Sequence, residues 1–260
     1  MLLRAAALLA ALCLILPGSA AAQLRTYRIT QVTFEDANHL NPSINDLGQV
    51  GWCLAQGGAY QSFFTLTEGL KLLRASCVAA AGANFREMVW TQNVEGFSQV
   101  FSSQRGQVTK DRADHLEPAV NSHGEIVLVQ RVGDRTQIFS STKGQVTRDP
   151  VDHYTPALSN LGEIVWVQPV SHVSQVFSSR RGQLTFAAKD HLQPGVNDAG
   201  EVVWIEKLGG YWQVVSSING PITMDSADHF TPRLNNTGTV VWSQKVGKHF
   251  QVFKAIPWLW

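Results

Sequence analysis

Charge is scarce in this sequence. Only 16% of its 260 residues are Asp, Glu, Lys or Arg, and 21 basic side chains stand against 20 acidic ones. A chain without a net field does not gather phosphates, so nucleic acid and anionic membranes are poor partners. Cysteine is scarce too, at three residues. The motifs of familiar chemistry are missing: there is no G-x-S-x-G, H-E-x-x-H, C-x-x-C or phosphate-cradling glycine loop. On motifs alone no catalytic residue and no cofactor is assigned. No segment repeats apolar residues at a 3.6-residue spacing, which excludes helical repeats. The longest apolar run, Ala5 to Leu16, falls short of the roughly 20 residues a membrane span needs.

That run follows Arg4, is broken by Pro17-Gly18, and leads through Ala20-Ala21-Ala22 to Gln23. The order is that of a secretory signal peptide, residues 1–22, cut after Ala22. The expected mature chain, residues 23–260, is a single exported domain, periplasmic or secreted, monomeric and without membrane insertion. Cleavage takes one arginine and no acid, leaving 20 basic against 20 acidic side chains. Cys53 and Cys77 remain. In an exported protein such a pair is a candidate disulfide, with two buried free thiols as the alternative.

What the chain has in abundance is repetition. Asp114-His115, Asp152-His153, Asp190-His191 and Asp228-His229 recur every 38 residues. Trp52, Trp90, Trp166, Trp204 and Trp242 keep the same register, with Leu128 in the remaining slot. Gln61, Gln99, Gln137, Gln175, Gln213 and Gln251 are identical in six copies. Each copy reads as four short strands, here A to D. Copy three has an apolar segment 116–120, an Asn-x-x-Gly turn at 121–124, a strand apolar on both faces at 125–130, a third strand at 137–141 and a fourth at 145–147. Four antiparallel strands per 38 residues make a propeller blade, and a tryptophan on strand B fills the wedge between blades.

The prediction is therefore an all-β, six-bladed β-propeller of six 38-residue, four-stranded repeats. Thr30-Gln31-Val32-Thr33 matches Gly106-Gln107-Val108-Thr109 except at the glycine, so the mature chain opens with a strand D. The last copy leaves the pattern at Lys254. Ring closure by the N-terminal strand follows, with residues 26–33 expected beside strand C near 249–254 and Pro257 to Trp260 packed on the rim. Copy two lacks the Asp-His and the proline and is expected to be a looser blade.

The unit P-x-x-N-D-x-G-x-V-V-W…Q-V-F…G…T resembles the TolB-type, WD40-like (PD40) repeat of bacterial exported propellers. Ile44 to Gly51, followed by Phe63 to Leu73, also resembles the HAF-type extracellular repeat. The resemblance implies a six-bladed propeller outside the cytoplasm and carries no catalytic residue with it.

The candidate site residues lie on one face. His39, His115, His153, His191 and His229 would form a partial ring at the channel mouth, with Cys77 in the sixth place. Three roles compete: Asp-His pairs that fasten blades, polar contacts to a ligand, and a metal held by His115, His153, His191 and His229. The B-to-C connections (93–97, 131–135, 169–173, 207–211 and 245–249) vary between copies, and Phe97, Tyr211, Trp212 and Phe250 bring aromatic area near that face. Arg105, Lys143 and Arg180-Arg181 on the C-to-D turns read as a solvated rim. The leading functional expectation is a non-enzymatic binding propeller that recognises a protein or envelope component. The alternatives are a metal-dependent hydrolase or lyase and a glycan-binding propeller.

Overall fold

The computed structural model describes residues 26–56, 59–66, 69–73, 80–81 and 87–258. They form six four-stranded antiparallel sheets in a ring, a six-bladed β-propeller. Among the described residues there is no helix, hence none long and apolar enough to cross a membrane. Blade 3 is typical: strand A is His115–Val120, B is Ile126–Val132, C is Arg135–Ser140 and D is Gly144–Gln145. Strand B is buried on both faces because a blade lies against each of them. Ile126, Val127, Leu128 and Val129 are all buried, as are Ile164 to Val167 in blade 4. The apolar clusters lie between blades. Val89 and Val100 of blade 2 pack on Val120, Ile126 and Leu128 of blade 3. Four strand-B tryptophans stack on a strand-C phenylalanine of their own blade, as Trp166 does on Phe177, and Trp204 of blade 5 faces Val215 instead.

The ring closes with the N-terminal strand as the fourth strand of blade 6. Thr26–Gln31 pairs antiparallel with His249–Trp258, from Thr26 opposite Trp258 to Gln31 opposite Phe253. The pairing lies further along the chain than 249–254. Lys254 to Trp258 continue strand C instead of leaving it, because this strand must reach its borrowed neighbour. Beyond Ala255 it has a neighbour on one side only, where Pro257 is tolerated. Val32, Val241 and Val252 join Ile44, Val50 and Trp52 in the apolar cluster that seals blade 6 to blade 1.

Between blades the chain crosses from the outermost strand D to the innermost strand A, and that crossover has no sheet to satisfy its backbone. The invariant glutamine does so. Gln175 Nε2 donates to the carbonyls of Ala187 (2.8 Å) and Lys189 (3.2 Å). Gln99, Gln137, Gln213 and Gln251 repeat the pair of bonds at Asp111 and Ala113, Asp149 and Val151, Asp225 and Ala227, and Glu35 and Ala37. The segment that Gln61 would hold lies outside the described residues. Asp114, Asp152, Asp190 and Asp228 do not bond a histidine. Each accepts the backbone N–H of a strand-C residue in the preceding blade at 2.8 Å (Ser98, Thr136, Ser174 and Trp212), and Asn38 does the same for Phe250 at 3.0 Å.

Two sequence expectations change. The B-to-C connections are two-residue hairpin turns, not five-residue loops. Val132 pairs with Arg135 and Leu208 with Tyr211, so only Gly133-Asp134 and Gly209-Gly210 stand outside the ladder. The positive φ of Gly133, Gly209 and Gly210 is what such turns require. The basic C-to-D residues are not a free rim either. Lys143 pairs with buried Glu125 at 2.9 Å, Arg181 with buried Glu163 at 2.8 Å and Arg105 with Glu87 at 2.7 Å. The same glutamates accept Ser140 Oγ and Ser178 Oγ. Lys143 also reaches the Gly162 carbonyl of the next blade, so the pairs fasten the lower face.

Replacing Gln175 by Ala leaves two crossover carbonyls without their donor. We expect a loss of about 1–3 kcal/mol in unfolding free energy, read from urea denaturation. An unchanged midpoint would show that the crossover does not depend on this side chain.

Candidate functional site

Strand A lines the central channel, and it carries a defect at the same place in every blade where it is described in full. Asn41, Glu117, Thr155, Gln193 and Thr231 have φ between 47° and 54°, and each precedes a proline. The pairing with strand B shifts register at each of these positions. For β-branched Thr155 and Thr231 this backbone is strained. The bulges set a ring of polar side chains at the end of the channel where the crossovers lie. Neighbours in the ring are linked: Thr155 N–H donates to Glu117 Oε2 at 2.5 Å, and Thr231 N–H donates to Gln193 Oε1 at 2.6 Å.

Below the ring is a cavity of about 220 Å³ lined by Glu117, Ala119, Thr155, Gln193, Thr231 and Arg233, among others. Arg233 breaks the repeat. Its counterparts are Ser43, Ala119, Ala157 and Gly195. The missing side chain at Gly195 lets the next blade approach: an added Cβ would meet the Pro232 carbonyl at 3.2 Å. That carbonyl accepts Arg233 Nη1 at 2.8 Å, and the Pro194 carbonyl lies at 3.5 Å from the same nitrogen. Burial pushes the guanidinium pKa down to about 10, with Glu117 acting in the opposite direction, so Arg233 keeps its charge at neutral pH. The hydroxyls of Thr155 and Thr231 are buried and have no hydrogen-bond partner among the described residues.

The other end of the channel is bridged. Asp46, Asn160, Asp198 and Asn236 occupy the same position of the A-to-B turn in blades 1, 4, 5 and 6. Asn236 Nδ2 donates to Asp198 Oδ2 at 2.7 Å and to Asp46 Oδ2 at 3.0 Å. Asn160 Nδ2, on the opposite side of the ring from blade 1, reaches Asp46 Oδ2 at 3.4 Å. A second cavity of about 80 Å³ lies inside this plate, and Arg233 lines both cavities.

The five histidines are not in the channel. His39, His115, His153, His191 and His229 are each at most 3% exposed, wedged between blades. Four of them pack on the tryptophan of their own blade, with ring centroids 6.0–6.3 Å apart. Each faces a carboxylate other than the adjacent aspartate: Glu35, Asp111, Asp149 and Asp225, four residues upstream, at 2.9–3.4 Å, and Glu206 for His191 at 3.1 Å. Among the described residues no group of three or more His, Cys, Asp or Glu side chains is placed to hold a metal ion. Phe97 and Trp212 are half-buried, Tyr211 is exposed, and Lys207 Nζ lies 5.4 Å from the Trp212 ring centre. Cys53 is buried and disulfide-bonded, and Cys77 lies outside the described residues.

The sequence reading missed two features. One is Arg233, visible only by comparing that one position across copies. The other is an apolar arc on the crossovers. Phe34, Phe186 and Met224 share one repeat position and are 72–76% exposed, on the consecutive crossovers that flank blades 5 and 6. Lys110 and Arg148 hold that position on the crossovers entering blades 3 and 4, and the 38-residue period puts Leu72 there in the remaining copy.

No family model matches the chain, and no curated protein matches it. Solved propellers do. TolB from Acinetobacter baumannii is 15% identical with a TM-score of 0.54, covering 85% of this chain and 55% of that one. This chain thus spans about half the length of that TolB. A gluconolactonase from Xanthomonas campestris is 11% identical with a TM-score of 0.58, covering 92% of this chain and 93% of that one. The acylaminoacyl peptidase of Pyrococcus horikoshii is 9% identical with a TM-score of 0.55, covering 84% and 51%. At these identities the likeness is one of fold. It nevertheless overturns the expectation of a non-enzyme, which rested on the absence of motifs in a propeller. The same ring serves as a gluconolactonase and as part of a peptidase, so neither fold nor missing motif excludes catalysis.

The buried histidines set the acid response of the fold. Burial holds His39, His115 and His191 below the usual 6.5, against the opposing carboxylates. The unfolded chain takes up these protons first. Stability is therefore full above pH 6.5 and falls as the pH drops below it. Hydrogen bonds from Ser140 and Lys143 hold Glu125 below its usual 4.5 despite burial, adding a second loss below that pH. A melting temperature that declines from about pH 6.5 downward is expected, with a shallower decline in His115→Gln. A flat profile down to about pH 4.5 would contradict this.

Proposed function

We propose that this chain is exported after removal of residues 1–22 and that residues 23–260 bind a protein or envelope partner through the crossover face. Membership of the PD40 or HAF repeat families belongs to the same proposal. The observation that carries it is the arc of Phe34, Phe186 and Met224, three large apolar side chains exposed at one repeat position. Large apolar side chains exposed at one repeat position along one face are the kind of exposure that serves an interaction site. Tyr154, Tyr211 and Leu116, each about 40% exposed, add apolar area elsewhere on that face. The near-zero charge supports a partner recognised by shape and apolar contact instead of long-range attraction. Phe97 and Trp212 flank the same face, and the buried histidines hold the crossovers that present it.

The test is capture of a cross-linked partner from the exported fraction of the native cell, comparing three forms of the chain. Phe186→Asp/Met224→Asp should reduce capture about tenfold or more, while Leu161→Asp on the opposite face leaves it unchanged. Equal capture by all three forms would remove the crossover face from consideration.

A further inference from the structure

The channel holds one charge that the fold uses only in part. Of the five N–H donors of the Arg233 guanidinium, those on Nη1 serve the Pro232 and Pro194 carbonyls. Nε and Nη2 donate to no described residue, and no carboxylate of the described residues forms an ion pair with Arg233. The unused edge is the fork that takes a carboxylate with two parallel hydrogen bonds. It lines a cavity of about 220 Å³, room for roughly seven waters at ~30 Å³ each. That volume is small for a drug-sized ligand and sufficient for a short acid or the end of a chain. Entry is from the crossover face, past the bulged ring, since the far end is bridged by the Asp46, Asn160, Asp198 and Asn236 side chains.

From this geometry we infer that Arg233 anchors a carboxylate that enters the channel from the crossover face, either the C-terminus of a partner chain or a small organic acid. The inference rests on the proposed use of that face and names what it recognises. Thr155 and Thr231 line the same cavity, and no described residue bonds their buried hydroxyls. Glu117 is exposed at the rim and competes with an incoming anion. Its structural role, accepting Thr155 N–H, is filled in blade 5 by the amide of Gln193. Glu117→Gln should therefore keep the ring and tighten carboxylate binding severalfold. Arg233→Ala places in blade 6 the residue that blades 3 and 4 already carry at Ala119 and Ala157.

The experiment titrates the mature protein with three probe sets: a random peptide library with free C-termini, the same library amidated, and a panel of small mono- and dicarboxylates. Free-terminus peptides are expected to bind at least tenfold more tightly than their amidated forms. Arg233→Ala should lose that difference, Arg233→Lys retain part of it and Glu117→Gln enhance it. Binding confined to the small acids, lost in Arg233→Ala, would support the carboxylate and assign it to a free molecule. No binding in any set, or binding indifferent to Arg233, would overturn the inference. The partner capture that depends on Phe186 and Met224 is a separate readout. If it persists in Arg233→Ala while no carboxylate binds, the face stands and the anchor falls.

Discussion

The ring depends on how each blade hands the chain to the next. A crossover from the rim of one sheet to the centre of another leaves backbone carbonyls beside a packed core with no strand to bond them, and buried backbone groups must be paired. At the five crossovers described, one glutamine near the start of strand C reaches two of those carbonyls. The Asp of the Asp-His dipeptide ties the far end of the crossover back to the same strand. Threonines at the end of strand D complete the fastening, since Thr185 Oγ1 accepts Val176 N–H and Thr33 Oγ1 accepts Val252 N–H at 2.9 Å. The last bond joins residues from opposite ends of the chain. The junction that closes the propeller is therefore chemically the same as those between consecutive repeats.

Such a device explains why so much of the architecture was legible. A residue required at every junction recurs every 38 positions, so period, blade count and the borrowed first strand follow from repetition alone. The register of closure was less legible, because the extra length of strand C in blade 6 appears as a departure from the repeat. The lower face was misread for a different reason. Glu125 and Lys143 are 18 residues apart, and only the fold shows that a solvent-facing lysine ends on a buried carboxylate. The bulged ring was invisible because its residues, Asn, Glu, Thr, Gln and Thr, share a backbone conformation and no side-chain chemistry.

Repetition has a converse. Positions alike in all copies build the scaffold, so chemistry particular to this protein belongs where one copy departs from the rest. The histidines fail that criterion and Arg233 meets it. The arc of Phe34, Phe186 and Met224 is a weaker departure, shared by consecutive copies and replaced by Lys110 and Arg148 on the crossovers entering blades 3 and 4. Both departures fall on the same part of the ring, in and around blades 5 and 6.

Departures differ in kind, and blade 5 shows how a structural one looks. In blades 4 and 6 a tryptophan N–H, a glutamine, an aspartate and the histidine form one chain of contacts: Trp166 to Gln168 to Asp149 to His153, and Trp242 to Gln244 to Asp225 to His229. In blade 5 the aspartate position is Ala187, and the glutamine position is Glu206. That glutamate alone accepts Trp204 Nε1, faces His191 and pairs with Lys189. Two substitutions cancel, and the network keeps its single carboxylate. Arg233 has no such counterpart. A charge drawn into the protein is costly unless it is paired, and the acid that acts on Arg233, Glu117 of blade 3, stands at the channel rim and forms no ion pair with it. Arg233 faces a cavity with an open fork, and its partner is to be sought outside the chain.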